Sequence, residues 1–269
     1  MASSAPTLIL SLITFVFGAM LGSFLNICIV RLPKGESIVR PPSCCPNCKA
    51  HIPFYDNIPL ISYLVLLGRC RFCAEKISPR YFFVEFLMGI LTVALLFRFG
   101  LTVAFCIYVV FVGALAVISF IDLDVRIIPN VISLPGIALG FLASLAQYPW
   151  PVDSLSIPPS PLSSFIGISI GGGFLWLVAW IYELFTGTEG MGGGDIKLLA
   201  MIGAFLGWPS IPLTLFFASV SGSVIGVILM VRAGAGGKYA IPFGPFLCLG
   251  ALFYLFLGRI VLEIYLPAG

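Results

Sequence analysis

The chain of 269 residues is 60% hydrophobic and only 9% charged, with a net charge of +3 and a mean hydropathy of +1.13. An ordinary soluble domain carries about 25% charged residues, so this composition excludes a water-soluble fold and points to a chain that lies mostly in a lipid bilayer. The small positive charge is accounted for by loop topology and implies no nucleic-acid partner.

A helix needs about 20 mostly apolar residues to cross a bilayer. Eight runs bounded by charges, prolines or turn residues meet this pattern near 6–30, 81–97, 100–121, 130–147, 162–185, 196–208, 210–231 and 243–266, the sixth being short for a full crossing. The first run lacks an early basic cluster and a small-residue cleavage signature, so it reads as a retained helix rather than a signal peptide. Arg31, Lys34, Arg40, Lys49, Arg69, Arg71, Lys76 and Arg80 follow it. An excess of basic residues marks cytoplasmic loops, which sets this segment inside and the N-terminus outside. Alternation then leaves Arg126, Lys197, Arg232 and Lys238 at cytoplasmic ends and Arg98 and Arg259 toward the other side. The Pro- and Ser-rich loop near 148–161, with Asp153 and no basic residue, falls outside. The expectation is an all-α polytopic membrane protein of about eight transmembrane helices with a small cytoplasmic zinc-binding segment after the first helix. Its parts are 1–31 (first helix), 32–80 (zinc segment) and 81–269 (membrane domain).

Within the zinc segment, Cys45, Cys48, Cys70 and Cys73 form CPNC and CRFC, two Cys-x-x-Cys turns at about the separation of a zinc ribbon. Four thiolates close a tetrahedral site and leave no open position, so the Zn2+ is expected to be structural. A segment too small for a large core has a use for such a staple. Two short disulfides are the alternative, disfavoured by a reducing cytoplasm. Cys44 competes with Cys45 for the ligand role, Cys45 having the regular spacing. His51 is expected in solvent, and Cys28, Cys106 and Cys248, in apolar runs, are expected to pack as small hydrophobes.

Acids next to spanning segments are costly and default to function. Asp122 and Asp124 close an apolar run in ISFIDLDVRIIPN, and Asp195 follows Gly192, Gly193 and Gly194 in EGMGGGDIKLLAM. Both stretches fall on the cytoplasmic side, so two carboxyls from separate helices can meet at one depth. Nearby carboxyls do not both ionise, so one keeps a proton while the other acts as base. Asp195 as a simple helix cap is the plainer reading. Asp124, two residues from Asp122, is expected to point elsewhere. The glycines leave room for an extended peptide. Lys197 and Glu189 are possible modulators, and Glu85 has Arg80 as a nearby ion-pair partner.

DLDVRIIPN at 122–130 and GGGD at 192–195 resemble the two catalytic motifs of type IV prepilin peptidases, the GxGD membrane aspartyl proteases. GSFLNICIVRLP at 22–33, the paired Cys-x-x-Cys turns, ISPRYFFVE at 77–85 and IPFGPFL at 241–247 extend the likeness over nearly the whole chain. The resemblance implies catalytic Asp122 and Asp195 within a membrane aspartyl protease domain at 81–269, and four zinc-binding thiols in a cytoplasmic domain at 32–80 that is the methyltransferase part. It implies cleavage of type IV prepilins or type II secretion pseudopilins after a glycine, at the cytoplasmic face of the bacterial inner membrane. N-methylation of the new terminus from S-adenosylmethionine is implied by resemblance alone; no GxGxG nucleotide-binding motif accompanies it. Cys44 before CPNC, and Phe82 and Phe83 after Tyr81, depart from the family pattern. The rival class is an ion or solute transporter with a carboxylate relay.

Overall fold

The structure is a computed structural model that describes residues 4–40, 42–45, 47–146, 157–188, 192–233 and 242–265. Asp153, Glu189 and Lys238 lie outside the described residues, as does the side chain of Arg259. The helices are α1 (Ser4–Arg31), α2 (Ile61–Val65), α3 (Pro79–Phe99), α4 (Val103–Val125), α5 (Asn130–Ala146), α6 (Pro161–Thr186), α7 (Gly193–Leu206), α8 (Ser210–Ala233) and α9 (Gly244–Tyr265). All but the short α2 coincide with an apolar run of the sequence.

Among the described residues five, against the eight expected, are long and apolar enough to cross a membrane: Thr7–Lys34, Pro79–Phe99, Val103–Val125, Pro161–Thr186 and Ser210–Arg232. Local chemistry sets several ends. Pro79 and Pro161 occupy first-turn positions, and the hydroxyls of Ser78 and Ser160 accept from Arg80 N–H and Ser163 N–H at 3.3 and 3.2 Å. At its other end α6 stops at Gly187 (φ 66), whose N–H closes on the Glu183 carbonyl.

The chain divides within α4 into two compact units, Met1–Val117 and Ile118–Gly269. In the first, α1 and α3 run antiparallel along small residues. A side chain at Gly22 would come within 2.7 Å of Glu85 Cα, and one at Gly18 within 2.5 Å of Thr92 Oγ1. Without a hydrophobic driving force in lipid, this close approach is what lets two helices gain packing energy.

In the second unit α7 is the central element. Its residues Leu198 to Leu206 are all buried, covered on one side by Gly136 and Gly140 of α5 and on another by Gly167 and Gly171 of α6. Gly167 and Gly203 meet backbone to backbone, and Ser164 Oγ donates to the Ala204 carbonyl at 2.7 Å. A helix enclosed by protein need not match the bilayer thickness, which explains its 14 residues. Cys28 and Cys248 are buried as expected, whereas Cys106 is exposed. Its apolar run is a long helix with an outward face, and sequence alone did not separate that face from the packed one.

Candidate active site and metal centre

Two similar turns build the metal centre. Cys45 N–H donates to the Ala50 carbonyl at 3.0 Å and Lys49 N–H returns to the Cys45 carbonyl at 3.0 Å; Cys70 and Ala74 repeat the pattern at 2.8 and 2.9 Å. Lys49 (φ 58) and Ala74 (φ 55) are left-handed, a conformation costing about 1–2 kcal/mol for a residue with a Cβ. The four Sγ atoms lie within 4.8 Å of one another, with Cys45–Cys73 at 3.8 Å and Cys48–Cys70 at 4.0 Å. Zn–S bonds of about 2.3 Å give a tetrahedron whose edges are about 3.8 Å, so the cluster has the size of a Zn2+ site. All four cysteines are free rather than paired in disulfides.

The thiols also have the electrostatics of a cation site. Backbone N–H groups of Cys73 and Phe72 pull Cys70 down to about 7. At Cys48 the Ala50 N–H favours the thiolate, but burial and the thiols of Cys73, Cys45 and Cys70 outweigh it and push the group up to about 11. Four thiolates at this spacing need a positive ion between them. Cys44 is exposed and its backbone pairs with His51, which leaves Cys45 in the cluster. His51 is exposed as expected. Arg71, inside the second turn, grips Asp56 with two bonds of 2.6 Å and holds that carboxyl below its ordinary value.

The carboxyl pair belongs entirely to the second unit. Asp122 lies in the last turn of α4 and is 5% exposed; its Oδ2 accepts from Gly244 N–H, the first amide of α9, at 3.0 Å. A Cβ at Gly244 would stand 2.7 Å from that oxygen, so a side chain here would displace the carboxyl from the amide. The amide of a helix N-terminus is suited to an anion. Asp195 sits in the first turn of α7, and its Oδ1 is buried without a hydrogen-bond partner. The charge of Asp122 acts on Asp195, and both act on the buried thiol of Cys248. Asp124 is exposed, as expected from its spacing.

The glycines differ from the sequence expectation of a loop. Gly192 is the N-cap of α7, at φ −68 and ψ 136, while Gly193 and Gly194 are already helical. Asp195 therefore is not the cap. Gly193 has open space where a Cβ would be, and at Gly192 the near atom is Asp195 Oδ2 at 3.9 Å. Gly194 instead packs on Ile128, with a Cβ contact of 2.8 Å. Ile128, buried in the turn between α4 and α5, also lies 3.2 Å from the Cβ position of Gly244. One side chain thus spaces both helix starts that frame the carboxyls.

Other expected groups settle elsewhere. Lys197 Nζ donates to Asn130 Oδ1 at 2.9 Å and ties α7 to α5. Glu85 accepts from Leu60 N–H at 2.8 Å and from Ser23, in place of the ion pair with Arg80. Gly244 and Ile128 were missed as site residues because neither carries a reactive group; the only signal was their place in PFGP and IIPN.

A family model for the bacterial peptidase A24 N-terminal domain matches residues 16–99, and one for the type IV leader peptidase family matches residues 109–227. A prepilin leader peptidase/N-methyltransferase of Pseudomonas aeruginosa is 34% identical over 278 residues, covering 95% of this chain and 93% of that protein. Proteins of the same name from Aeromonas hydrophila (35%, covering 99% of this chain and 97% of that protein) and Pseudomonas putida (35%, 91% and 89%) are similar to it as well. No solved structure matches the chain. With both halves matched and such identity over nearly its full length, the chain belongs to the type IV leader peptidase family, peptidase A24, in its bacterial prepilin leader peptidase/N-methyltransferase branch.

Proposed function

We propose that the chain cleaves the leaders of type IV prepilins or type II secretion pseudopilins after a glycine, and N-methylates the amino terminus so formed. It works at the cytoplasmic face of a bacterial inner membrane, with the N-terminus outside and about eight crossings. The zinc segment at 32–80 is the methyltransferase part and 81–269 the aspartyl protease. The observation that carries the peptidase reading is a buried carboxyl, Asp122, fixed by the first amide of α9 within electrostatic reach of Asp195, whose Oδ1 has no partner. The family favours this reading over a transporter.

Asp122 and Asp195 share one proton. The ionised member takes a proton from water as the oxygen attacks the scissile carbonyl, and the protonated member passes its proton to the leaving amine. Gly244 N–H keeps Asp122 in place through both steps. The extended cleavage segment approaches over Gly193, beside which the described residues leave open space, and past Gly192, where the near side-chain atom is Asp195 Oδ2. Cys45, Cys48, Cys70 and Cys73 hold Zn2+, which supplies cross-linking rather than chemistry. S-adenosylmethionine as methyl donor rests on the family resemblance alone.

The test is the lipid-reconstituted protein with a prepilin and a labelled methyl donor. Cleavage lost in Asp122→Asn and in Asp195→Asn, with Asp124→Asn active, is the expected result. Cleavage by the Asp122→Asn variant would overturn the dyad, and solute transport without cleavage would favour the transporter.

A further inference from the structure

Where α1 and α3 cross, the first unit buries a polar cluster that hydrolysis does not use. Asn26, 2% exposed, donates Nδ2 to the Tyr81 carbonyl at 3.1 Å, while its Oδ1 is sealed without a donor. One turn along α3, Glu85, 8% exposed, accepts from Leu60 N–H at 2.8 Å and from Ser23. Ser23 and Asn26 share a face of α1, Tyr81 and Glu85 share a face of α3, and antiparallel packing sets the pairs opposite each other. Leu60, which brings the amide, is held at φ 64 and ψ −50, a strained conformation for a leucine.

The inventory is lopsided. A carboxylate offers about four acceptor sites and the Asn26 carbonyl two more, against the Leu60 amide and the Ser23 hydroxyl as donors. A buried acceptor without a donor costs about 1–3 kcal/mol. A compact cation with several N–H bonds would satisfy both Asn26 Oδ1 and the spare Glu85 lone pairs, and leader cleavage generates such a group, the primary ammonium of the mature pilin.

We propose that Asn26 and Glu85, which flank the zinc segment and meet it at Leu60, bind this new α-ammonium and that Glu85 is the base that prepares it for methylation; the proposal rests on the methyl-transfer reading above and extends that part beyond 32–80 to these two residues. The ammonium gives one proton to the Glu85 carboxylate. The nitrogen lone pair then forms the N–C bond as the methyl–sulfur bond of a sulfonium donor breaks, its electron pair leaving with sulfur as a neutral thioether. The methylated nitrogen keeps the positive charge, and the proton on Glu85 passes to water.

The test measures binding first, without a methyl donor. The full-length protein in detergent is titrated with a mature pilin N-terminal peptide carrying a free amine and with its N-acetylated form. The parent is expected to prefer the free amine by about tenfold or more, the range of a hydrogen bond to a charged group, and Glu85→Gln and Asn26→Leu to lose that preference. Gln still accepts from Leu60 N–H, and Leu removes the unpaired Oδ1 together with the bond to the Tyr81 carbonyl, so zinc content and prepilin cleavage serve as controls for the fold of both. Glu85→Gln is also expected to lose methyl transfer. Equal affinity of the parent for both peptides, methyl transfer at the parent rate by Glu85→Gln, or loss of zinc and cleavage together with methylation in both variants would each overturn the assignment. A parent that prefers the amine yet transfers no methyl group overturns the methyl-transfer reading and with it the role of Glu85 as base.

Discussion

The four thiols and the two carboxyls are assembled by opposite routes. Each pair of thiols is held by one tight turn, with backbone bonds such as Cys45 N–H to Ala50 and Cys70 N–H to Glu75 spanning only a few residues. The carboxyls need three helices: Asp122 from α4, Asp195 from α7, and an amide of α9 that is 122 residues beyond Asp122. A locally built site should fail locally and be rebuilt by its metal. A site built from distant helix ends should be sensitive to packing changes that touch no reactive group.

The largest effect is expected at the carboxyls themselves. Asp122→Asn and Asp195→Asn should each lower prepilin cleavage by roughly 10²–10⁴-fold or more, the range of a lost acid or base, with helix content by circular dichroism unchanged. Next comes Gly244→Ala, which puts a carbon against Asp122 Oδ2 and displaces the α9 amide. A lost hydrogen bond to a charged group is worth about 1.5–3 kcal/mol, so cleavage should fall by about tenfold to a hundredfold although no titratable residue has changed. Wild-type cleavage by Gly244→Ala would mean that the α9 amide does not matter to the dyad.

The glycines before Asp195 sharpen the same contrast. Gly194→Val should lower the thermal stability of the membrane domain, because its Cβ meets Ile128. Gly193→Val should leave stability near the parent's and raise KM for prepilin instead. The reverse pattern would show that the open side of Gly193 is not the approach to the carboxyls.

At the thiols, any of Cys45→Ser, Cys48→Ser, Cys70→Ser and Cys73→Ser should abolish bound zinc as read by metal analysis, while Cys44→Ser should keep it. The smallest effect concerns Asp56 and Arg71. Because Arg71 holds the Asp56 carboxyl below its ordinary value in the fold, the pair's contribution is full above the ordinary carboxylate pKa of about 3.9 and is lost as pH falls through the lower folded value. Arg71→Gln should therefore protect the zinc segment from proteolysis slightly less than the parent at pH 7, with the difference fading in acid.

Hydropathy alone located eight apolar helices, five of them long enough to cross a bilayer, because a bilayer demands apolar runs whatever their neighbours. The Cys-x-x-Cys spacing named the thiol set, because a metal turn is a local object, and the 122/124 spacing separated a buried aspartate from an exposed one. Only the tertiary structure decided that α7 is short because protein encloses it, that Lys197 serves Asn130, and that Gly194 packs on Ile128 while Gly193 faces open space. Glycine, isoleucine and a backbone amide carry no chemical signature in sequence. Their part at Asp122 arises when distant helix ends approach to within a Cβ of each other, a condition set by packing.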